Sequence, residues 1–234
     1  MLARETSRSA RAQLSDFVAS ADASLVSPAM PEAPNSRDAA VLILFGVLDS
    51  LPSDHDAQAR AVTRDLDVLL LARAATLRSH AGQIAFPGGR TDPEDDGPVA
   101  AALREAREET GLDPAGVDVL GALPAVPLAF SRHLVTPVVG WWRHPSPVRA
   151  VDSAESADVF RAPVADLLDT ANRGVTVIRR EGRTWRGPGF RIGDHVVWGF
   201  TGMLLSGLFD GLGWTEPWDE SRELPLDAAG DTGR

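Results

Sequence analysis

The chain of 234 residues contains no cysteine and no lysine. Without cysteine it can form no disulfide, no thiolate nucleophile and no Cys-based zinc site, and it suits a reducing compartment. A cytoplasmic protein is therefore expected. No apolar run approaches ~20 residues, so no membrane span is expected either. Positive charge is also scarce: 23 basic residues against 33 acids leave a net charge of −10. That balance opposes the basic surface on which general nucleic-acid binding draws. The exclusive use of Arg reads as a compositional preference of the source genome rather than as a phosphate-binding device.

What is present is ordinary for a globular chain, with 44% hydrophobic and 24% charged residues. The length allows one sizeable domain with extensions. Residues 1–37 form an N-terminal extension in which Leu14, Phe17 and Val18 are spaced for a short amphipathic helix before Pro28, Pro31 and Pro34. Glu5 and Asp16 count against a transit peptide, and the apolar core of a secretory signal is missing. Residues 38–214 form the domain. Residues 215–234, with six acids, two Arg and the helix breakers Pro217, Pro225 and Gly230, are expected to be a disordered tail.

Within the domain, residues 39–48 (AAVLILFGVL) read as a buried strand and 66–73 (LDVLLLAR) as its neighbour. Strands are expected at 117–123 and 134–142, and a short one at 159–161 that runs into a helix at 163–168. A hairpin with an irregular return fits 175–180 and 184–197, and an amphipathic helix fits 198–212. Short strands around one long helix suggest an α/β chain with a mixed central sheet.

That long helix lies in residues 86–112, FPGGRTDPEDDGPVAAALREAREETGL. Val99, Leu103, Ala106 and Thr110 follow the spacing of one buried face, and Glu105, Glu108 and Glu109 crowd another. Each like-charge pair at this spacing costs roughly 0.2–0.5 kcal/mol. Gly111 is placed to take a left-handed cap, so Glu108 and Glu109 fall in the last turn, where the helix dipole disfavours acids. A residue set that breaks two local rules is a functional candidate. Mg²⁺ or Mn²⁺ would cancel both penalties, because hard divalent cations prefer oxygen ligands.

The run Arg104-Glu105-Ala106-Arg107-Glu108-Glu109-Thr110-Gly111-Leu112 resembles the second half of the Nudix hydrolase signature, G-x5-E-x7-R-E-U-x-E-E-x-G-U. Asp96 stands where the pattern has Glu, and Gly89 lies 15 positions before Arg104 (104 minus 89), one more than the general pattern. Upstream, Leu69-Leu70-Leu71-Ala72-Arg73-Ala74, Arg78, Gly82 and Phe86-Pro87-Gly88-Gly89 are similar to the L-L-T-x-R-[SA]-x3-R-x3-G-x3-F-P-G-G pattern of the coenzyme A pyrophosphatase branch, which commonly carries the longer spacing. Looser similarity at 121–124, 135–140 and 198–201 extends the resemblance over roughly residues 39–212.

The resemblance implies an α/β/α sandwich and a metal-dependent enzyme that cleaves coenzyme A or its derivatives to adenosine 3′,5′-bisphosphate and 4′-phosphopantetheine. It implies metal ions, Mg²⁺ or Mn²⁺, held by Glu105 and Glu109, with Glu108 sharing the cluster and the Gly89 carbonyl as a further donor. Arg104 would orient the glutamates, and Glu155 or one of the box glutamates would take a proton from water. Arg73, Arg78, His80 and Gly82 are the candidate contacts to the substrate. Two other readings stand beside it. Pro127, 16 positions after Gly111, fits an ADP-ribose or other dinucleotide pyrophosphatase. A non-catalytic Nudix-like module is the third, though such modules usually lose box glutamates that are all present here. The expected partner is a small molecule, with no nucleic acid or membrane, and the sequence leaves room for a homodimer.

Overall fold

The computed structural model describes residues 9–21, 35–47, 65–76, 81–128, 131–180 and 182–226. At its centre is β1 (Arg37–Val47), apolar at almost every position and buried on both faces, as a strand covered by two layers must be. β1 pairs antiparallel with β2 (Leu66–Arg73) through Phe45↔Val68 and Val47↔Leu66. Its other edge runs parallel to β7 (His133–Trp142), from Arg37↔His133 to Phe45↔Trp141, so the sheet is mixed as expected.

β1 and β2 pair only at one end, and the chain between them fills the gap. β3 (Ile84–Ala85) pairs with the far end of β2, and β4 (Gly88–Arg90) pairs with β1 at Ala39↔Arg90 and Val41↔Gly88. The glycine turn is thereby wedged where the two strands part. β5 (Val117–Ala122) and β6 (Val126–Leu128) line the outer edge of β7, and β8 (Ser156–Pro163) pairs along β2. β8 is longer than the expected 159–161, because Ser156, Asp158 and Arg161 interrupt the apolar pattern of the strand.

Alternation along β1 sends its side chains into two cores. Leu42 and Leu44 meet Ala101, Ala102 and Ala106 of α2 (Gly97–Thr110). Ile43 and Phe45 meet Leu14 and Phe17 of α1 (Ala10–Ser20) and Leu204, Leu205, Leu208 and Phe209 of α4 (Gly199–Gly211). The result is an α/β/α sandwich. On α2, Ala106 and Thr110 are fully buried as expected, but Val99 and Leu103 are only partly so. Ala101 and Ala102, outside the expected set, are buried as completely as Ala106 and Thr110, since small side chains let the helix lie close to the sheet.

A second sheet contains β9 (Arg173–Arg180), β10 (Arg183–Ile192) and β11 (His195–Val197), with the short helix α3 (Val164–Leu168) leading into it. The expected irregular return is thus a third strand, paired with β10 at Phe190↔Val197. The expectation of disorder after residue 214 fails for residues 215–226. Arg222 O accepts from Val175 N–H (2.7 Å) and Leu224 N–H donates to Val175 O (2.9 Å), which adds this segment to the open edge of β9. Leu224 is 3% exposed, and Trp218 lies over the buried Arg173 guanidinium at 4.7 Å. Average composition hid these two apolar anchors among acids. Among the described residues no helix is long and apolar enough to cross a membrane.

Candidate active site

The site forms where α2 crosses the glycine turn. The loop before the helix is closed on itself: Asp92 N–H donates to Asp95 Oδ2 (2.8 Å), and Asp95 N–H returns to Asp92 O (3.1 Å). α2 then ends at Gly111, whose φ of 72° and N–H bond to Arg107 O make the left-handed cap expected from the sequence. Beyond the cap, the segment at residues 149–151 lends its own donors. Arg149 N–H bonds Thr110 O (2.9 Å) and Val151 N–H bonds Glu109 O (3.1 Å), which satisfies carbonyls that a helix end leaves open.

Glu105 and Glu109, one turn apart, both reach the glycine turn. Glu109 Oε2 accepts from Gly88 N–H at 2.9 Å. The Glu105 carboxylate lies directly on Gly89, where a Cβ would come within 2.4 Å of its Cδ, so only glycine leaves it room. Burial raises the pKa of both groups. For Glu105 the Arg104 guanidinium opposes that rise, and for Glu109 the carboxyl is pushed up to about 7 despite the Gly88 N–H. Glu105 and Glu155 raise Glu109 further, and Arg73 lowers it. Two desolvated carboxylates with too little positive charge around them are a donor set that fits a hard divalent cation. Among the described residues no three acids or histidines already converge into a ligand cage.

Glu108 points elsewhere. Its side chain is 57% exposed and accepts from Arg104 Nη1 at 3.2 Å, so Arg104 rather than the glycine turn is its partner. Arg104 also holds Glu105 Oε1 (3.0 Å), Asp95 through Nε (3.0 Å) and Nη2 (2.8 Å), and Arg90 O (2.9 Å). Arg104 thus bonds two of the three glutamates, Glu105 and Glu108. Asp96 does not share in this network; it is exposed and its side chain caps nothing. The acid that meets Arg104 is Asp95, which sequence reasoning missed. Counting six residues on from Gly89, as the signature does, would have found it, whereas counting back from Arg104 lands on Asp96.

Arg73 closes β2 near enough to Glu109 for its charge to lower that carboxyl's pKa. Its N–H donates to Gln83 O (3.0 Å) and its carbonyl accepts from Gly82 N–H (3.1 Å), so Gly82, at φ 70°, serves as the turn that brings the chain back. Ala74 N–H bonds Glu155 O at 2.9 Å, which ties the exposed Glu155 to the same end of β2. Arg78 and His80 lie outside the described residues.

Comparison with known proteins settles the family. The family model for the NUDIX domain matches residues 54–180, more than half of the chain. The chain belongs to the Nudix family. A Nudix hydrolase named NudL from Photorhabdus laumondii subsp. laumondii is 36% identical over 193 residues, covering 82% of this chain and 94% of that protein. NudL of Cronobacter sakazakii is 43% identical over 138 residues, covering 59% and 71% respectively. Among solved structures, a MutT/nudix family protein from Enterococcus faecalis matches 87% of this chain and 74% of its own, with 15% identity and a TM-score of 0.46. This Nudix hydrolase thus belongs with enzymes that generally use divalent metal ions and bind small-molecule nucleotide substrates.

Proposed function

We propose that this Nudix hydrolase cleaves the diphosphate of coenzyme A or its derivatives. Arg73 carries the reading. It stands near Glu109, its Nε is buried without a hydrogen-bond partner among the described residues, and the chain turns back upon it at Gly82 and Gln83. The described part of the upstream motif and the glutamate helix therefore lie at one end of the sheet, an arrangement that suits a substrate with a diphosphate. An Arg fork suits phosphate oxygens and stays charged at any working pH.

In this reading Glu105 and Glu109 hold the cation, with the Gly89 carbonyl as a further donor and Glu108 at the exposed rim. The cation, when bound, supplies charge neutralisation on the diphosphate and activates water. Arg104 keeps Glu105 in place, and Arg73 binds a phosphate oxygen. Water adds to one phosphorus and gives up a proton to Glu155 or one of the box glutamates, the bond from that phosphorus to the bridging oxygen breaks, and the other phosphate leaves with the bridging oxygen. The products are adenosine 3′,5′-bisphosphate and 4′-phosphopantetheine.

The test is a panel of coenzyme A, dephospho-coenzyme A and ADP-ribose with Mg²⁺ and with Mn²⁺, with products identified by mass spectrometry. Coenzyme A should give the two products named, and Arg73→Ala should lower kcat/KM by roughly ten- to a hundredfold, the range for a hydrogen bond to a charged group. A preference of ADP-ribose over coenzyme A by an order of magnitude would overturn the assignment.

A further inference from the structure

Two buried polar groups at the Arg73 end of the sheet have no hydrogen-bond partner among the described residues: Arg73 Nε and Ser156 Oγ. They stand opposite each other. β2 and β8 keep an even register from Asp67↔Pro163 to Ala72↔Asp158, and the next pair is Arg73↔Ser156, so Ala157 is the extra residue of a β-bulge. In a regular ladder the methyl group of Ala157 would oppose Arg73, and the bulge puts a hydroxyl there instead. Directly opposed side chains have Cβ atoms about 4.5–5.5 Å apart, a span that a long arginine bridges by turning about its own stem.

Both groups belong to the side of the sheet that α2 covers. Leu69 and Val159 lie in the core beneath that helix, and alternation along β2 puts Leu69, Leu71 and Arg73 on one face. The backbone around Ser156 is fixed: its N–H and that of Glu155 both donate to Asp152 O, at 2.9 and 3.1 Å, and Glu155 O accepts from Ala74 N–H at 2.9 Å. Ser156 is 1% exposed, so its hydroxyl is shut off from bulk water as well. A buried donor or acceptor without a partner is costly, and folded proteins seldom carry two side by side without a use for them.

We propose that Ser156 is a positioning residue for Arg73: as the guanidinium turns its Nη1–Nη2 edge onto a diphosphate oxygen, Nε donates to Ser156 Oγ and holds that orientation. This role rests on Arg73 binding the diphosphate of the substrate. The bond forms only with the substrate in place. Its loss therefore weakens binding and takes no hydrogen bond from the free protein.

The experiment is steady-state kinetics on coenzyme A and on ADP-ribose at saturating Mg²⁺, for the wild type, S156A, R73A and the double variant, with thermal melts on the same preparations. S156A should raise KM roughly three- to tenfold, the range of a net hydrogen bond, with kcat within about twofold. Its melting temperature should not fall. In the R73A background S156A should add nothing, because Ser156 acts only through Arg73. S156T, which keeps the hydroxyl, should have a lower KM than S156V, which exchanges that hydroxyl for a methyl group. A wild-type KM in S156A, a loss in kcat in place of KM, effects that multiply in the double variant, or a lower melting temperature would overturn the proposal. R73A with wild-type kinetics on both substrates would remove Arg73 from the substrate site and this proposal with it. If ADP-ribose alone is turned over, the coenzyme A reading fails, and the same cycle on ADP-ribose decides the role of Ser156. If S156A fails to fold by circular dichroism, the S156T and S156V pair decides it, and equal KM values in the two would overturn the proposal.

Discussion

A methyl group added at Gly89 separates what the glycine turn does for chemistry from what it does for folding. Its ideal Cβ would stand 2.4 Å from Cδ and Oε1 of Glu105 and 2.7 Å from Oε2. Favourable carbon contacts begin near ~3.5 Å, so the carboxylate must retreat by about 1 Å. A displacement of that size at a reacting centre costs on the order of a hundredfold in turnover. Stability should barely change. Gly89 is not in the left-handed region, so alanine gains roughly 0.4–1 kcal/mol from a less free unfolded chain. Against this, the partly exposed Arg104–Glu105 pair is worth at most about 1 kcal/mol. Turnover at saturating Mn²⁺ and the thermal midpoint should be measured on one preparation of Gly89→Ala. Turnover within about threefold of the wild type would refute the argument that Glu105 must lie on the turn, and a collapsed melting transition would show that the glycine serves the fold instead.

Gly211→Ala should show the opposite pattern: its Cβ would come within 2.4 Å of the Phe17 ring, so overpacking should cost roughly 1–3 kcal/mol while turnover per folded molecule is unchanged. An unaltered melting temperature would mean that α1 yields freely. Glu109→Gln keeps the shape of the side chain but removes a ligand charge, and should lower turnover by orders of magnitude in a protein that melts no earlier than the wild type. Near-normal turnover would remove Glu109 from the metal site. At Asp67, burial pushes the carboxyl from its ordinary 3.8 up to about 6, although Arg161 Nε lies 2.6 Å away and pulls it down. An acid with a raised folded pKa gives stability that is full below pH 3.8 and is lost as pH rises through about 6, a change of about 3 kcal/mol. The difference in unfolding free energy between wild type and Asp67→Asn should therefore fall across that window, and a flat or rising difference would show that the ion pair outweighs burial.

The glutamate helix could be read from the sequence because its charges break local rules and its apolar residues keep a period, both of which are local properties. β1, β2 and β7 were readable for the same reason, as apolar runs bounded by turns. What escaped depends on contacts between distant residues. Asp95 and Asp96 are chemically alike, and only the closed turn with Asp92 decides which one faces Arg104. The strand-like addition at residues 222–224 needs the open edge of β9, which no window of the tail contains. Nor does periodicity show that β1 and β2 part company and admit the glycine turn between them.

The bonds from Arg149 and Val151 to the end of α2 make a surface connection part of the geometry of the candidate site. Surface connections ordinarily absorb insertions at little cost, because lengthening them adds only slowly to closure entropy. Here the length is constrained from both sides, since the same stretch also meets β2 through Glu155 and Ala74. An added residue between Val151 and Glu155 would have to slacken either the last turn of the helix that carries Glu109 or the end of the strand that carries Arg73. Homologous chains that keep this chemistry should therefore vary less in length here than their exposed, polar sequence would suggest.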